Sequence, residues 1–156
     1  MDVIEGDFNV GDARFAVVAT RWNDFVVDAL LESALAVLAD CGIEEDAITV
    51  VRVPGAFELP LVCDRLAESR DYDAVIALGA VIRGETPHFD YVAGECARGL
   101  AASAVEYGVP ITFGVITADT VEQAEARAQS GEERNKGAEA ASAAAEMVSL
   151  LRQLDD

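Results

Sequence analysis

The sequence predicts an α/β fold, a three-layer α/β/α domain in which a four-stranded parallel sheet lies between helices. Four apolar runs rich in β-branched residues alternate with segments of helical periodicity along the whole chain. Such alternation is typical of a parallel sheet that is covered on both faces and connected by right-handed crossovers. The chain has 156 residues, of which 52% are hydrophobic, so we expect one domain over residues 1–156 with one buried core.

The predicted strands are short apolar runs bounded by turn-forming or polar residues. Their continuous hydrophobicity favours strands that are buried on both faces rather than on one. They cover Arg14–Thr20, Ala47–Val53, Ala74–Ile82 and Pro110–Thr117.

Helical patterns fill the intervals between these strands. Asn23 is expected to cap the first helix, because its side chain can accept hydrogen bonds from free backbone N–H groups, and Gly42 is expected to end it. Pro60 is tolerable only in the first turn of the second helix. Asp119 or Thr120 is expected to cap the fourth. The second helix is predicted over Phe57–Ser69, and the third over Phe89–Tyr107, which Gly108 ends. The fourth runs from its Asp119 or Thr120 cap to about Ala128. After a polar break at 130–134, the last helix covers Asn135–Leu154. This order of elements is flavodoxin-like.

The last predicted helix is rich in alanine and serine (AEAASAAAEMVSLL). Good helix propensity is one explanation of this composition. The other is close contact between helices, including contact across subunits, because small side chains let two backbones approach.

The charge balance is strongly acidic, with a formal net charge of −18 and a single lysine, Lys136, beside ten arginines. Such a surface repels nucleic acid and anionic lipid, so we expect neither as a partner. No apolar run approaches the roughly 20 residues that cross a bilayer. The opening residues MDVIEGDFNV lack the layout of a signal peptide, and the expected location is cytoplasmic.

The three cysteines, Cys41, Cys63 and Cys96, are widely separated, and no CxxC pair occurs. With only one histidine in the chain, neither a zinc site nor a disulfide framework is expected. The cysteines are interpreted as small buried hydrophobic residues.

Residues with chemical potential follow the predicted strands, where open α/β sheets place their ligand sites. Trp22, the only tryptophan, follows the first strand and could stack on an aromatic ligand, or could serve in a core or an interface. After the second strand, Gly55 and Ala56 leave the backbone open to close approach. Glu58 is suited to accept from hydroxyl groups, or is a carboxylate favoured by the helix dipole.

The segment GAVIRGETPHFDY at 79–91 carries the strongest signal. Gly84, Glu85 and Thr86 precede a helix, so their N–H groups and the Thr86 hydroxyl could hold an oxyanion. His88, the only histidine, is placed in this turn and could transfer protons near neutral pH, although a structural role is an alternative. The chain contains neither GxxxxGK[ST] nor a GxGxxG after the first strand, which disfavours a P-loop or dinucleotide site.

Three further residues are candidates. Phe113 interrupts the β-branched fourth strand, where core packing is the default. Arg127 lies on the following helix and could grip a phosphate, or form a surface ion pair worth under about 1 kcal/mol. Lys136 opens the last helix and is a candidate accessory residue.

Together these motifs resemble those of the 6,7-dimethyl-8-ribityllumazine synthase family, which forms the precursor of riboflavin. Each motif is weak alone, but all of them in order at the family's spacing are specific. The matching segments are Arg21-Trp22-Asn23 with Phe25, VPGAFELP at 53–60, GAVIRGETPHFDYV at 79–92, GVITADTVEQAEARA at 114–128 and NKGAEAA at 135–141.

The resemblance implies a reaction and a role for each residue, with no metal and no cofactor. The reaction is the condensation of 5-amino-6-(D-ribitylamino)uracil with 3,4-dihydroxy-2-butanone 4-phosphate. Trp22, where most relatives have phenylalanine, would stack on the pyrimidine. Phe113 would reach the site from a neighbouring subunit and His88 would shuttle protons. The remaining implied contacts are Ala56, Phe57 and Glu58 to the ribityl chain, the backbone of Ala80, Val81 and Ile82 to the pyrimidine edge, and Glu85, Thr86 and Arg127 to the butanone phosphate.

The resemblance also implies assembly. The family forms homopentamers, some members close twelve pentamers into an icosahedral shell, and association with riboflavin synthase is a further implied partnership. The turn at 129–134 (QSGEER) is longer than the glycine-rich turn of shell builders and lacks their lysine, which favours a free pentamer. Two alternatives stay open at this point, a flavin-binding module and a shell-forming relative without activity.

The acidic surface suggests adaptation to a salty cytoplasm, and a plain acidic protein is the alternative. We expect the thermal unfolding midpoint to rise with KCl, because added ions screen the repulsion among surplus carboxylates. Thermal melts across KCl concentrations test this, with an uncharged osmolyte as control. Greatest stability in dilute buffer would contradict the halophilic interpretation.

Overall fold

A four-stranded parallel sheet organises the computed structural model, which describes residues 1–129 and 135–156. The strands are β1 (Phe15–Thr20), β2 (Ile48–Val53), β3 (Ala74–Ile82) and β4 (Ile111–Ala118), arranged in the order β2-β1-β3-β4. The helices are α1 (Asp24–Asp40), α2 (Leu59–Ser69), α3 (His88–Tyr107), α4 (Val121–Ala128) and α5 (Lys136–Asp155). The predicted α/β class and flavodoxin-like strand order are confirmed. The predicted break at 130–134 lies outside the described residues.

Helices cover both faces of the sheet because alternate strand residues point to opposite sides. On one face, Phe15, Val17 and Ala19 of β1 pack with buried residues of α1, α4 and α5. On the other face, Ala16 and Val18 pack with α2 and α3. The result is two cores that share one sheet, as the continuous apolar runs predict. No helix in the described part of the chain is long and apolar enough to cross a membrane.

The predicted boundaries agree with the structure to within a few residues, and the differences that affect the site lie at the sheet edge that bears the polar motifs. The second helix was expected from Phe57, but a 3-10 turn covers Ala56–Glu58 and α2 begins at Leu59. Pro60 falls in the first turn of α2, as required. His88 is the first residue of α3 rather than part of the preceding turn. Thr120, not Asp119, caps α4 by accepting from the N–H of Gln123 at 3.1 Å.

The small residues of α5 pack inside the chain. Ala140, Ala141, Ala144 and Ala145 are buried against the sheet and α1. A methyl group added at Gly137 would lie 2.2 Å from the carbonyl oxygen of Leu30, so the two helix backbones touch there. Close helix–helix contact within one chain is therefore part of the reason for this composition.

Asn135 joins three elements at the start of α5. Its side chain is 2% exposed, and its Oδ1 accepts from the N–H of Ala138 at 2.9 Å, which caps the helix. Its Nδ2 donates to the Ala128 carbonyl at the end of α4 (2.9 Å) and to Ser33 Oγ on α1 (3.0 Å). This one amide therefore fixes where α4 ends and where α5 begins.

Cys63 and Cys96 are buried between α2 and α3 as the sequence predicts, whereas Cys41 is only partly buried. All three are free thiols. Burial raises the pKa of Cys63 to about 12 and that of Cys96 to about 11. Both side chains therefore remain neutral thiols at physiological pH, and neither is a nucleophile.

The space around two helical glycines predicts opposite effects of alanine on stability. Gly137 lies at the contact between α1 and α5, whereas Gly94 lies on α3 in open space. We expect Gly137→Ala to cost about 2 kcal/mol in the free energy of unfolding, because its methyl group would meet backbone that cannot move aside. Gly94→Ala on α3 is the control, since open space surrounds that position. Alanine there should add about 0.5 kcal/mol through helix propensity. Urea unfolding of both variants measures the difference, and equal stabilities would contradict the close approach.

Candidate active site

The carboxyl ends of β1, β2 and β3 meet at one edge of the sheet and form a cleft of about 430 Å³. Parallel strands bring the turns that follow them to the same side, which is why residues distant in sequence converge here. Eight residues singled out in the sequence line this cleft. They are Trp22, Ala56, Phe57, Glu58, Ala80, Val81, Ile82 and His88.

The turn after β1 is tied to the end of β2. The N–H of Arg21 donates to the carbonyl of Val53 at 2.7 Å, and the N–H of Trp22 donates to that of Pro54 at 3.0 Å. The indole of Trp22 lies against the backbone of Gly55, where a Cβ atom would come within 2.3 Å of indole Cε3. Only glycine fits beneath this ring. The indole is 63% exposed in the single chain, so a ring face remains accessible at the cleft.

Asn23 has a different role from the one expected. It lies at the N-cap of α1, but its backbone is left-handed (φ 61°, ψ 43°) and its side chain accepts no capping hydrogen bond. Asparagine tolerates this conformation better than most residues. Its Nδ2 instead donates to the Ala80 carbonyl at 3.2 Å, which connects the turn after β1 to β3. In the first turn of α1, the amides of Val26 and Val27 donate to the Asn23 carbonyl.

Glu58 is held in place by its own turn. One carboxylate oxygen, Oε2, accepts from the Gly55 N–H at 3.0 Å. The other oxygen has no hydrogen-bond partner among residues 1–129 and 135–156. A fixed carboxylate with a remaining acceptor, beside the exposed ring of Phe57, can accept from hydroxyl groups of a ligand.

His88 reaches the cleft from the first turn of α3. Tyr91 and Val92 follow it at helical spacings of three and four and line the same cleft. Sequence reasoning gave no role to these two residues, although this spacing from His88 was the available signal. It expected close approach at Gly55, which does line the cleft, but assigned Asn23 only to capping, although Asn23 lines the cleft as well.

The phosphate-binding candidates of the preceding loop lie beside the cleft rather than in its wall. Glu85 and Thr86 are exposed and are not among the residues that line it. In the described part of the chain, no hydrogen bond from another segment reaches residues 84–86. Their polar groups therefore face solvent in the single chain.

Three predicted residues lie away from the cleft. Phe113 on β4 is 44% exposed. Arg127 lies on α4, in the helical layer that packs with α1, and its Nη1 donates to the Gln123 carbonyl at 3.1 Å. Lys136 pairs with Glu139 at 2.9 Å. One chain therefore brings together the residues expected to bind the pyrimidine and ribityl groups, apart from Phe113, but not the expected counter-charge for phosphate.

A second cleft, of about 460 Å³, lies between α1 and α4 and contains none of the predicted site residues. Its polar groups include the carboxylates of Glu122 and Glu125, which would repel a phosphate. Among residues 1–129 and 135–156, no three His, Cys, Asp or Glu side chains come together in a way that could hold a metal ion.

Comparison with protein families gives the same identification as the motifs. The family model described as 6,7-dimethyl-8-ribityllumazine synthase matches residues 12–152 of the 156-residue chain. The matched range contains every residue that lines the cleft, together with Phe113, Arg127 and Lys136. The chain therefore belongs to the 6,7-dimethyl-8-ribityllumazine synthase family.

Proposed function

We propose that the protein condenses 5-amino-6-(D-ribitylamino)uracil with 3,4-dihydroxy-2-butanone 4-phosphate to give 6,7-dimethyl-8-ribityllumazine, phosphate and water. Family membership supports an enzyme, of the transferase class, in riboflavin biosynthesis. The observation that carries the specific reaction is the cleft itself. It combines an accessible indole, a fixed carboxylate and the chain's only histidine at one sheet edge.

The cleft suits the ribitylaminouracil. The face of Trp22 offers a stacking surface for the pyrimidine, and Ala80, Val81 and Ile82, whose backbone the family resemblance assigns to the pyrimidine edge, line the same cleft. The ribityl hydroxyls would approach Ala56, Phe57 and Glu58, where the carboxylate has an acceptor to offer. The ligand's polar chain and aromatic ring would thus occupy different parts of the same cleft.

The butanone phosphate would bind at the loop before α3. The N–H groups of residues 84–86, the Thr86 hydroxyl and the start of α3 form a favourable environment for an anion. The amine of the first substrate attacks the ketone, imine formation releases one water, phosphate is then eliminated, and ring closure with loss of a second water completes the product. His88 would carry protons between these steps. Holding both substrates in attack geometry supplies the largest share of the acceleration.

A neighbouring subunit would complete the site. Phe113 and Arg127 are both absent from the cleft of their own chain, and the family's pentameric assembly offers the route by which a second copy supplies them. Arg127 would then face the phosphate bound at the adjacent chain's loop, with Lys136 as an accessory cation. The choice between a free pentamer and a shell rests on residues 130–134, which lie outside the described part of the chain.

A coupled assay tests the proposed reaction. Purified protein is mixed with both substrates in molar KCl and in dilute buffer, and lumazine absorbance is followed together with phosphate release. We expect the two products to appear in equal amounts, well above the enzyme-free rate, because one phosphate leaves for each ring formed. Absence of acceleration in both buffers would overturn the proposed function.

The same preparation separates the two alternative functions. A flavin-binding module without synthase activity would show a bound-flavin spectrum and no condensation. A shell-forming relative without activity would show neither. The exposed Trp22 at the cleft is compatible with flavin binding, and the combination of Glu58, Thr86, His88 and Arg127 favours the synthase.

Two substitutions rank the residues that act on the second substrate. We expect Arg127→Ala to lower kcat/KM for the butanone phosphate about 100-fold, because it removes the main charge facing the departing phosphate. His88→Ala should cost about tenfold, since water in the exposed cleft can also carry protons. Arg98→Ala, at an exposed arginine paired with Glu95 on α3, is the control. A larger loss at His88 than at Arg127 would refute the ranking.

A further inference from the structure

Arg83 contacts both the end of β4 and the start of α3, on either side of the loop that precedes α3. It follows β3 directly, and its N–H donates to the Ala118 carbonyl of β4 at 2.8 Å, one step beyond the last paired residues of these strands. Its Nε donates to Asp119 Oδ1 at 2.8 Å. The ends of β3 and β4 are thus joined through both its backbone and its side chain.

The same guanidinium reaches across the loop to α3. Its central carbon lies 4.4 Å from the ring centroid of Phe89, and its Nη2 lies 3.6 Å from Asp90 Oδ1. Arg83 precedes residues 84–87, whereas Phe89 and Asp90 follow them. The side chain therefore closes the loop into a ring. Since no hydrogen bond from other described segments reaches residues 84–86, this bridge holds the two ends of the loop together.

Asp119 is itself fixed at the start of α4. Its backbone N–H donates to the side-chain oxygen Oε1 of Gln123 at 2.9 Å. The backbone carbonyl of Gln123 accepts from Arg127 Nη1 at 3.1 Å. Arg83 thus joins the first turn of α3, which carries His88, to the turn that leads into the helix carrying Arg127. An arginine can do this because its planar fork donates in two directions while its face stacks on a ring, which a lysine cannot do.

We propose that Arg83 is a positioning residue, which holds the loop 84–87 and His88 in the arrangement that binds the butanone phosphate. Its side chain is 47% exposed, and exposed ion pairs contribute little to stability, so its main effect is on local geometry. The proposal rests on the proposed function for the identity of the ligand. The geometric part, that Arg83 fixes the surroundings of His88, stands without it.

Removing the partner carboxylate separates positioning from simple attraction of charge. Asp119→Ala deletes a negative charge, so electrostatics alone would tighten phosphate binding. A positioning role predicts weaker phosphate binding, because the Arg83 guanidinium loses its hydrogen bond to Asp119. Arg83→Lys keeps the positive charge but loses the fork and the stacking. Glu95→Ala and Arg98→Ala are the matched controls, because each breaks the 2.7 Å ion pair between these two residues on α3. The Arg98 side chain is 71% exposed.

The first readout is kinetic. We expect Asp119→Ala and Arg83→Lys each to raise both the inhibition constant of inorganic phosphate and the KM for the butanone phosphate by about tenfold, as small displacements of binding groups do. The KM for the pyrimidine should stay within about twofold, as in both controls. Unchanged or tighter phosphate inhibition in Asp119→Ala would overturn the proposal.

The second readout needs no activity. His88 is the only histidine, so its imidazole gives a single assignable NMR signal in histidine-labelled protein. We expect that signal to shift or split in Arg83→Ala and to stay unchanged in Arg98→Ala. An identical signal in wild type and Arg83→Ala would overturn the positioning role. An inactive wild type with the expected NMR change would instead refute the proposed reaction and leave the geometric role standing.

Discussion

The site depends on one constraint, the alignment of parallel strand ends at a common edge. Because β1, β2 and β3 run in the same direction, the turns that follow them meet there, and short backbone hydrogen bonds from Arg21 and Trp22 to the end of β2 hold the first two turns together. Asn23 adds the link to β3 through the Ala80 carbonyl. Gly55 supports this arrangement passively, since any side chain there would displace the indole. The cleft is therefore a consequence of topology and of a few close approaches.

Charge imposes a second constraint. A chain with a net charge of −18 repels a phosphorylated substrate unless positive charge is placed where the phosphate binds. Three of the described cations have partners of their own, with Arg127 on a backbone carbonyl, Lys136 on Glu139, and Arg83 between two aspartates. In the proposed function, loop amides and the start of α3 would attract the phosphate within one chain, and a cation from a second copy would add to that attraction.

Completion of the cleft by a second copy, as proposed, would also explain the distribution of exposed aromatic residues. Trp22, Phe57 and Tyr91 at the cleft, and Phe113 on β4, are all solvent-exposed in the single chain. Exposed aromatic groups of this kind are typical of surfaces that bind a ligand or a partner. In the proposed assembly both would apply, and the active site would be a property of the interface. Two residues at the start of α5 position the helices on one side of the sheet. Asn135 sets where α4 ends, and Gly137 sets how closely α5 approaches α1.

Apolar periodicity and strand-end motifs are local signals, so the α/β class, the four strands, the family and most residues of the cleft wall were predictable from the sequence. The sequence alone places Trp22, Glu58 and His88 after strand ends. It did not determine that Asn23 donates to β3 rather than capping α1, that Arg83 bridges the loop before α3, or that Arg127 lies in the opposite helical layer from the cleft. These facts depend on which distant backbone or side-chain group lies opposite each residue, and only the packing of the tertiary structure decides that.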